Sequence, residues 1–299
     1  MDNWGRYGCL TPIEDQNLHF FLAKVNPQEI EINKYTTETK EQCACRFLRA
    51  RDFDVGKAVA LISESSVLLK QHKSDECVDL GPTACTGCDE NVLKHFYPHS
   101  QQGFDRYGRL ICYEHNGNAN ITAVKRITSS EGLLSYHLWT MEKVFDDLFS
   151  KSPKDPSGLH ILSTLVVCDF DGFGFGHVKT DTFDHLKLLI SIDNVCYPEL
   201  LGKMVIINCP SFIVGLFNMI KGFLAPRTQK KIELLNSGPE SMTRLAELIS
   251  AENLPQMYGG LAPNPFKSKT MTEFVAVPRD GSFTKTIQIP PDMDIQVFI

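Results

Sequence analysis

The sequence predicts an α/β protein in which an N-terminal helical subdomain is followed by a mostly parallel sheet. Three observations lead to this fold class. The first 75 residues carry helical periodicity, two later runs are continuously apolar, and an amphipathic stretch lies between those runs. Continuous apolar runs are typical of parallel strands covered on both faces, and a strand, helix and strand in this order form a βαβ unit.

The N-terminal part, residues 1–75, contains three predicted helices. Apolar residues indicate a short helix over 18–25 and a second helix over 42–50. Asp54 is a typical N-cap for the third, because its carboxylate can accept hydrogen bonds from the free N–H groups of a first helical turn. After it, apolar positions recur at helical spacing at Val55, Val59, Ile62 and Leu69.

The second part, residues 76–262, begins with a change in composition. Glycine and proline interrupt residues 77–108, which predicts a linker with short elements. A short strand follows over 110–113. The spacing of Thr128 and Glu131 is that of a capping box, and an apolar stripe then predicts a helix that ends near Phe149.

The predicted βαβ unit comes next. Its strands are the apolar runs over 162–168 and 204–207, and its crossover helix is the amphipathic stretch from Phe183 to Asp193. The apolar segment 212–224 is too short to span a bilayer. Two interpretations stay open for it: a buried core helix, or a helix that shields an apolar ligand or dips into a membrane surface.

Residues 263–299 change to a period of two, which is typical of β-strands. Residues 282–289 alternate in this way, and the sequence stops inside a second apparent strand at 295–299. We therefore expect a linker and the start of a β-rich domain that has been cut short.

Composition and charge restrict the classes of function. The net charge of −6 argues against binding along a nucleic-acid backbone, which needs a basic surface. The N-terminus lacks the apolar core of a signal peptide, and no run reaches the ~18 residues of a membrane span. We therefore expect a cytoplasmic protein whose ten cysteines are reduced thiols.

Three sequence patterns are similar to catalytic or ligand-binding motifs, but each departs from the motif that it resembles. Cys43 and Arg49 have the Cys-x5-Arg spacing of cysteine phosphatases, but they lie in a predicted helix with no glycine between them. Two soft-ligand pairs, Cys85/Cys88 and His95/His99, are separated by fewer residues than a zinc finger requires. The glycines at 172–176 fail the dinucleotide spacing. We predict no catalytic residue, no metal and no cofactor.

Four ordered segments resemble the CRAL-TRIO lipid-binding family, which includes phosphatidylinositol/phosphatidylcholine, tocopherol and retinaldehyde carriers. They cover roughly residues 40–260 and include Arg46–Val55, Asp105–Arg109, Tyr197–Pro210 and Leu254–Gly260. The segment from Asp169 is most similar to the supernatant-protein-factor subgroup, whose members carry a C-terminal GOLD domain. The resemblance implies helices that enclose a lipid pocket over the sheet.

The resemblance also implies a lipid headgroup site. The residues that match the phosphoinositide-binding pattern are Arg51, Glu199, Thr228 and Lys231. The arginine that follows the glutamate in this pattern is Leu200 here, so one phosphate contact is missing. On the pocket floor, Thr164 and Val166 match a Ser-x-Thr pair that binds choline lipids, and only one hydroxyl remains.

In the family, the apolar segment after the last long strand acts as a gate. We expect pocket-facing or membrane-facing positions at Phe212, Leu216, Phe217, Ile220 and Phe223. The resemblance therefore implies a carrier, not an enzyme, that binds one lipid, preferably phosphatidylinositol, and transfers it during transient peripheral contact with membranes. The alternative is a lipid-sensing adaptor that reports a phospholipid or tocopherol-like ligand to a protein partner through the C-terminal region.

Overall fold

The computed structural model describes residues 4–30, 38–155, 158, 160–177, 180–224 and 226–266, with the side chains of Phe149 and of residues 180–183 left aside. All the described residues belong to one compact unit, Met1–Lys267. The predicted β-rich tail at 282–299 lies outside the described residues. The domain boundaries drawn at 75/76 and 262/263 therefore stay predictions.

The N-terminal helices confirm the predicted helical subdomain. They are α1 (Pro12–Lys24), α2 (Pro27–Ile30), α3 (Lys40–Arg49) and α4 (Val55–Gln71). Asp54 caps α4 as predicted, since its side chain accepts a hydrogen bond from the backbone N–H of Lys57 at 3.0 Å. The apolar faces of the helices meet in one buried cluster that includes Phe21, Phe47, Leu48 and Ile62.

The predicted linker contains three helices and one strand. The helices are α5 (Ser74–Leu80), α6 (Pro82–Thr86) and α7 (Glu90–Phe96), and β1 (His99–Phe104) pairs antiparallel with β2 (Leu110–His115). The sequence did not predict β1, because its residues are mostly polar and half-buried at an edge of the sheet. Strand β2 confirms the predicted strand over 110–113 and extends it by two residues.

The next helices are α8 (Ile121–Ile127) and α9 (Ser130–Lys151). The long helix α9 was predicted, but its capping-box assignment was wrong. Ser129 is the N-cap, and its hydroxyl accepts from the backbone N–H of Gly132 at 3.0 Å. Thr128 is buried and donates to the carbonyl of Thr86 at 2.7 Å, so its hydroxyl serves packing between helices.

The predicted βαβ unit is confirmed as β3 (Thr164–Asp169), α10 (Thr180–Cys196) and β4 (Leu201–Ile207). The chain continues through α11 (Ser211–Ile220), α12 (Pro226–Gln229), β5 (Ile232–Leu234) and α13 (Pro239–Leu248). The sheet order is β1-β2-β3-β4-β5, and β2 to β5 are parallel. The short strand β5 was not predicted, because three residues carry no periodic signal.

The two faces of the sheet have different roles, since side chains alternate along each strand. One face packs against α13 through a buried cluster that includes Ile111, Tyr113, Leu165, Val167, Val205 and Leu245. The opposite face carries Cys112, Val166 and Met204, which are partners across the strands and are only half-buried. This second face is the floor of the apolar cavity described below.

One carboxyl in the helical layer gives the fold a pH dependence. Glu142 on α9 is buried and accepts a hydrogen bond from the Tyr197 hydroxyl at 3.0 Å. Burial raises its pKa from 4.5 to about 7. Between these values the folded state binds more protons than the unfolded state, so the stability of the fold falls as the pH rises.

We expect Glu142→Gln to be more stable than the wild type at pH 8 by about 3 kcal/mol, the free energy of this pKa difference. Near pH 4.5 the two proteins should differ little. Urea unfolding across this pH range checks both statements. Glu131→Gln, on the exposed start of the same helix, is the control. Parallel profiles for Glu142→Gln and the wild type would contradict the prediction.

Candidate functional site

A cavity of about 550 Å³ lies between the sheet and the helices α9, α10 and α11. Strands β2, β3 and β4 form its floor, and α9 and α10 form its walls. Its lining is mostly apolar and includes Cys112, Val166, Met204, Ile206, Met141, Val144, Leu189 and Ile190. Such a cavity fits a hydrophobic small molecule whose orientation is set by a few polar groups.

A cationic cluster lies at one end of this cavity. The Glu199 carboxylate lies 3.1 Å from Arg49, 3.6 Å from Lys231 and 3.9 Å from Arg227. The Glu199 side chain is only 6% exposed, and its backbone is left-handed with φ of 64°, an uncommon conformation for this residue type. Asp52, 3.4 Å from Arg227, supplies a second carboxylate. The three cations still outnumber the two carboxylates, so the cluster carries an excess of positive charge.

The pKa of Lys231 reflects this excess. Burial lowers it most, Glu199 opposes the change, and the nearby Arg49 and Arg227 lower it further. An anion bound here would offset the repulsion between the cations and favour the charged lysine. The cluster is therefore suited to a phosphate or another anionic group.

The structure brings the four residues of the predicted headgroup set to the lining of the same cavity: Arg51, Glu199, Thr228 and Lys231. Leu200, the departure from the family pattern, is buried in the core beneath α9 and α10. Sequence reasoning missed two cations of the cluster, Arg49 and Arg227. Arg227 directly precedes Thr228 in the sequence, but no spacing distinguished it from a surface arginine.

Arg227 also ties α12 to the N-terminal helices. Its guanidinium lies 4.2 Å from the ring centre of Trp4, and it donates to the carbonyl of Arg49 at 3.1 Å. A further contact reaches Asp52 at 3.4 Å. Helix α12 follows α11, the helix that covers the cavity. Arg227 therefore connects the cationic end of the cavity, the covering segment and the N-terminal helices.

A second cavity of about 320 Å³ lies on the other side of Glu199. It shares Glu199, Leu201, Arg227 and Lys231 with the first cavity. Of its other arginines, Arg49 shares Glu199, and three have carboxylate partners of their own: Arg6 with Asp155, Arg46 with Glu38, and Arg109 with Asp105. The excess of positive charge therefore belongs to the wall between the two cavities.

Helix α11 covers the large cavity and is shorter than the predicted segment 212–224, because a 3-10 turn replaces it at Lys221–Phe223. The interpretation as a buried core helix is wrong, since Ile213 is the one buried residue of α11. Phe217 and Ile220 line the cavity. Among the described residues, no helix is long and apolar enough to cross a membrane.

The remaining predicted gate residues have other positions. Phe212 and Leu216 pack at the edge of the cluster around Ile213, and Phe223 is 54% exposed. The exposed side of this segment also carries Val214 and Met219. The cover therefore has an apolar inner side and an apolar outer side, which is unusual for a surface helix.

The two predicted floor residues, Thr164 and Val166, line the cavity. The Thr164 hydroxyl donates to the carbonyl of Leu200 at 3.4 Å. The Thr164 hydroxyl, the one that the family resemblance identified for choline lipids, is therefore hydrogen-bonded to the backbone of the protein itself.

The other end of the cavity is also polar, which the sequence did not predict. His137 of α9 donates through Nε2 to Asp193 of α10 at 2.7 Å. Asp193 and Glu114 raise the pKa of His137 against the effect of its burial. Tyr97 and Glu114 line the same end. These residues come from α9, α10, β2 and the end of α7, so no local motif identifies them.

The candidate chemical motifs have structural roles. Cys43 and Cys45 are buried on α3, and burial raises the pKa of each to about 12, the opposite of what a nucleophilic thiolate needs. Cys85 donates to the carbonyl of Cys77 and His99 accepts from Tyr136, so members of the two candidate ligand pairs have separate partners. Within the described residues, no group of three or more metal-binding side chains occurs.

The loop after β3 is held by Asp169, which is buried. Its carboxylate accepts hydrogen bonds from the Tyr258 hydroxyl at 2.9 Å, from Asn208 at 2.8 Å and from the backbone N–H of Asp171 at 2.9 Å. The segment from Asp169 is therefore a turn whose buried carboxylate joins β3, β4 and the segment after α13.

Comparisons with known proteins agree with this architecture. The chain is 32% identical over 72% of its length to the phosphatidylinositol/phosphatidylcholine transfer protein SFH9 of Arabidopsis thaliana, of which it covers 36%. It is 28% identical over 80% of its length to the Sec14 cytosolic factor of Schizosaccharomyces pombe, covering 81% of that protein. The chain thus spans between 33% and 55% of the length of the Arabidopsis relatives.

A solved structure and two family models complete the comparison. The crystal structure of Sfh5 shares the fold, with a TM-score of 0.53 and 17% identity, over 80% of this chain and 73% of that one. The model of the CRAL/TRIO N-terminal domain matches residues 19–64, and the model of the CRAL/TRIO domain matches residues 95–260. The chain therefore belongs to the CRAL/TRIO family.

Proposed function

We propose that this protein binds one lipid in the 550 Å³ cavity and transfers it between membranes, with phosphatidylinositol as the preferred ligand. The observation that carries the proposal is the cationic cluster at one end of an apolar cavity, where three cations share Glu199. The names of the Arabidopsis relatives, phosphatidylinositol/phosphatidylcholine transfer proteins, support the same class of ligand.

The apolar lining of the cavity offsets the free-energy cost of moving a lipid out of a bilayer. A lipid that leaves a bilayer loses about 0.8 kcal/mol for each CH₂ group that meets water. Apolar side chains from the floor and walls, including Val166 and Leu189, offer replacement contacts. Binding can then be strong enough to extract the lipid without any covalent chemistry.

The cationic end would select the headgroup. Arginine offers a planar fork to phosphate oxygens, whereas lysine offers a compact point charge. Arg51, Arg227 and Lys231 all line this end, and Thr228 adds a hydroxyl. In this arrangement the lipid phosphate contacts the cations, and Glu199 and Thr228 hydrogen-bond to the inositol hydroxyls. Arg227 replaces the positive charge that is missing at Leu200.

The segment 211–224 would act as the gate. In the closed state its inner side contacts the ligand through Phe217 and Ile220. On a bilayer, the exposed Val214, Met219 and Phe223 can enter the apolar boundary and replace contacts that opening removes. The membrane would thereby shift the population toward the open state.

Mass spectrometry of organic extracts from the purified protein, beside native mass spectrometry, tests the proposal directly. We expect one phospholipid per chain with an inositol headgroup, and faster transfer of phosphatidylinositol than of phosphatidylcholine between vesicles. A co-purified neutral lipid would remove the headgroup assignment. A protein that extracts and transfers no lipid would contradict the carrier function.

A further inference from the structure

The N-terminal segment, residues 4–9, packs against the cationic end of the cavity. Gly5 is buried and has a left-handed backbone with φ of 65°. A Cβ atom at this position would lie 2.5 Å from the Phe53 ring and 2.8 Å from the Arg49 side chain, so the close approach requires glycine. Trp4 contacts Phe53 edge to face, with 5.5 Å between the ring centres. The segment is therefore fitted to this surface by its own sequence.

The backbone beneath Trp4 has unusual conformations. Asp52 and Phe53 are consecutive residues with positive φ angles of 49° and 61°, and Glu199 is left-handed as well. Such conformations persist only where the surrounding contacts hold them, and they cluster at binding sites. Asp52 and Glu199 lie 3.4 Å and 3.9 Å from Arg227, and Phe53 packs against Trp4. The strained residues therefore surround one arginine and its aromatic partner.

Arg227 is held in a different way from other arginines of this wall. Arg46 and Arg109 line the second cavity, and each lies 2.6 Å from a carboxylate. Arg227 instead has its guanidinium carbon 4.2 Å from the centre of the Trp4 ring, and its contact with Asp52 is longer and reaches a side chain that is 82% exposed. Stacking on an indole holds a guanidinium without supplying a negative charge. The positive charge of Arg227 is therefore kept for a ligand.

The stacking also sets the direction of the guanidinium. Arginine recognises phosphate through N–H groups that lie in the guanidinium plane. Because the indole covers one face, the N–H groups of Arg227 point to the sides of the stack, where one donates to the carbonyl of Arg49 at 3.1 Å and Nε lies toward Glu199. Arg227 lines both cavities. A phosphate at this wall therefore meets a fork whose orientation is already fixed.

We propose that Trp4 is a positioning residue of the headgroup site, which orients Arg227 and thereby increases the selectivity for a lipid with an anionic phosphate headgroup. The proposal rests on the proposed function, because it requires that the lipid phosphate contacts the cationic cluster. It extends the site to the N-terminal segment, which lies outside the four segments that resemble the family. A neutral lipid with the same acyl chains makes no use of this contact.

The test compares the binding of phosphatidylinositol and of diacylglycerol with the same fluorescent acyl chain, two ligands that differ in the phosphoinositol group alone. Trp4→Leu should bind phosphatidylinositol about threefold to tenfold more weakly than the wild type, the range of a cation–π contact, and diacylglycerol equally well. Trp4→Phe keeps an aromatic face and should retain most of the affinity. Phe20→Leu removes an exposed ring from α1 and should bind both ligands as the wild type does.

A double-mutant cycle separates positioning from packing. If Trp4 acts through Arg227, Trp4→Leu should have little further effect on phosphatidylinositol binding once Arg227→Ala is present. Additive losses would overturn the proposal, and so would an equal loss of both ligands in Trp4→Leu, because either result would assign Trp4 to the support of the fold. Trp4→Met, which also lacks the ring, takes the place of Trp4→Leu in the cycle if that variant does not fold.

The same measurements distinguish the failure of this inference from the failure of the proposed function. A wild type that prefers phosphatidylinositol, together with a Trp4→Leu variant that keeps the full preference, overturns the role of Trp4 and retains the headgroup site. A wild type that binds both ligands equally loses the headgroup site and the role of Trp4 together.

Discussion

Replacing Arg51 and Lys231 together by alanine is expected to reduce phosphatidylinositol transfer about a hundredfold or more. Both residues line the cationic end of the cavity. A hydrogen bond to a charged group contributes about 1.5–3 kcal/mol, so two lost contacts amount to about 3–6 kcal/mol, and each 1.4 kcal/mol is tenfold in affinity. A vesicle transfer assay with labelled phosphatidylinositol measures the effect.

The double variant should fold and should still take up a neutral apolar ligand. Arg49 and Arg227 remain beside Glu199 after the two substitutions, so the buried carboxylate keeps a counter-charge. Lys230→Ala, an exposed neighbour of Lys231, is the matched control and should transfer phosphatidylinositol normally. Unchanged phosphatidylinositol transfer in the double variant would contradict the headgroup site, whereas equal loss of both ligands would indicate damage to the cavity.

The sequence predicted the elements whose signal is local. Helix α4 has a cap at Asp54 and a regular apolar stripe, and β3 and β4 are continuous apolar runs. Strand β1 and strand β5 lack such signals, because edge pairing and not side-chain pattern defines them. Helix α11 was ambiguous for a related reason: it is apolar around most of its circumference, and only tertiary contacts decide which side is covered.

The candidate site was predictable only where a motif carried it. The resemblance pointed to Lys231 and Glu199, but Arg227 required the fold, since its contacts with Glu199 and Trp4 join residues far apart in sequence. Glu114 shows the same limit. Its position on β2 determines which face of the sheet its side chain lies on. Its polar neighbours His137 and Asp193, however, lie on the helices α9 and α10.

Replacing Asp169 by alanine is expected to destabilise the fold by about 3–5 kcal/mol. The carboxylate is buried and accepts hydrogen bonds from Tyr258, Asn208 and the backbone of Asp171. The buried Tyr258 hydroxyl costs about 1–3 kcal/mol when it is left without a partner. The part-buried donors of Asn208 and Asp171 lose hydrogen bonds to a charged group, which contribute about 1.5–3 kcal/mol each before water replaces part of them. Urea unfolding of the purified proteins gives the difference in the free energy of unfolding.

The matched control is Asp171→Ala, two residues further along the same turn, where the side chain is exposed. Its backbone N–H still donates to Asp169, so its stability should stay within about 0.5 kcal/mol of the wild type. Asp169→Asn keeps one acceptor oxygen and should fall between the two. Similar losses for Asp169→Ala and Asp171→Ala would contradict the assignment, because they would show that the turn itself, and not the buried carboxylate, joins β3 to the segment that carries Tyr258.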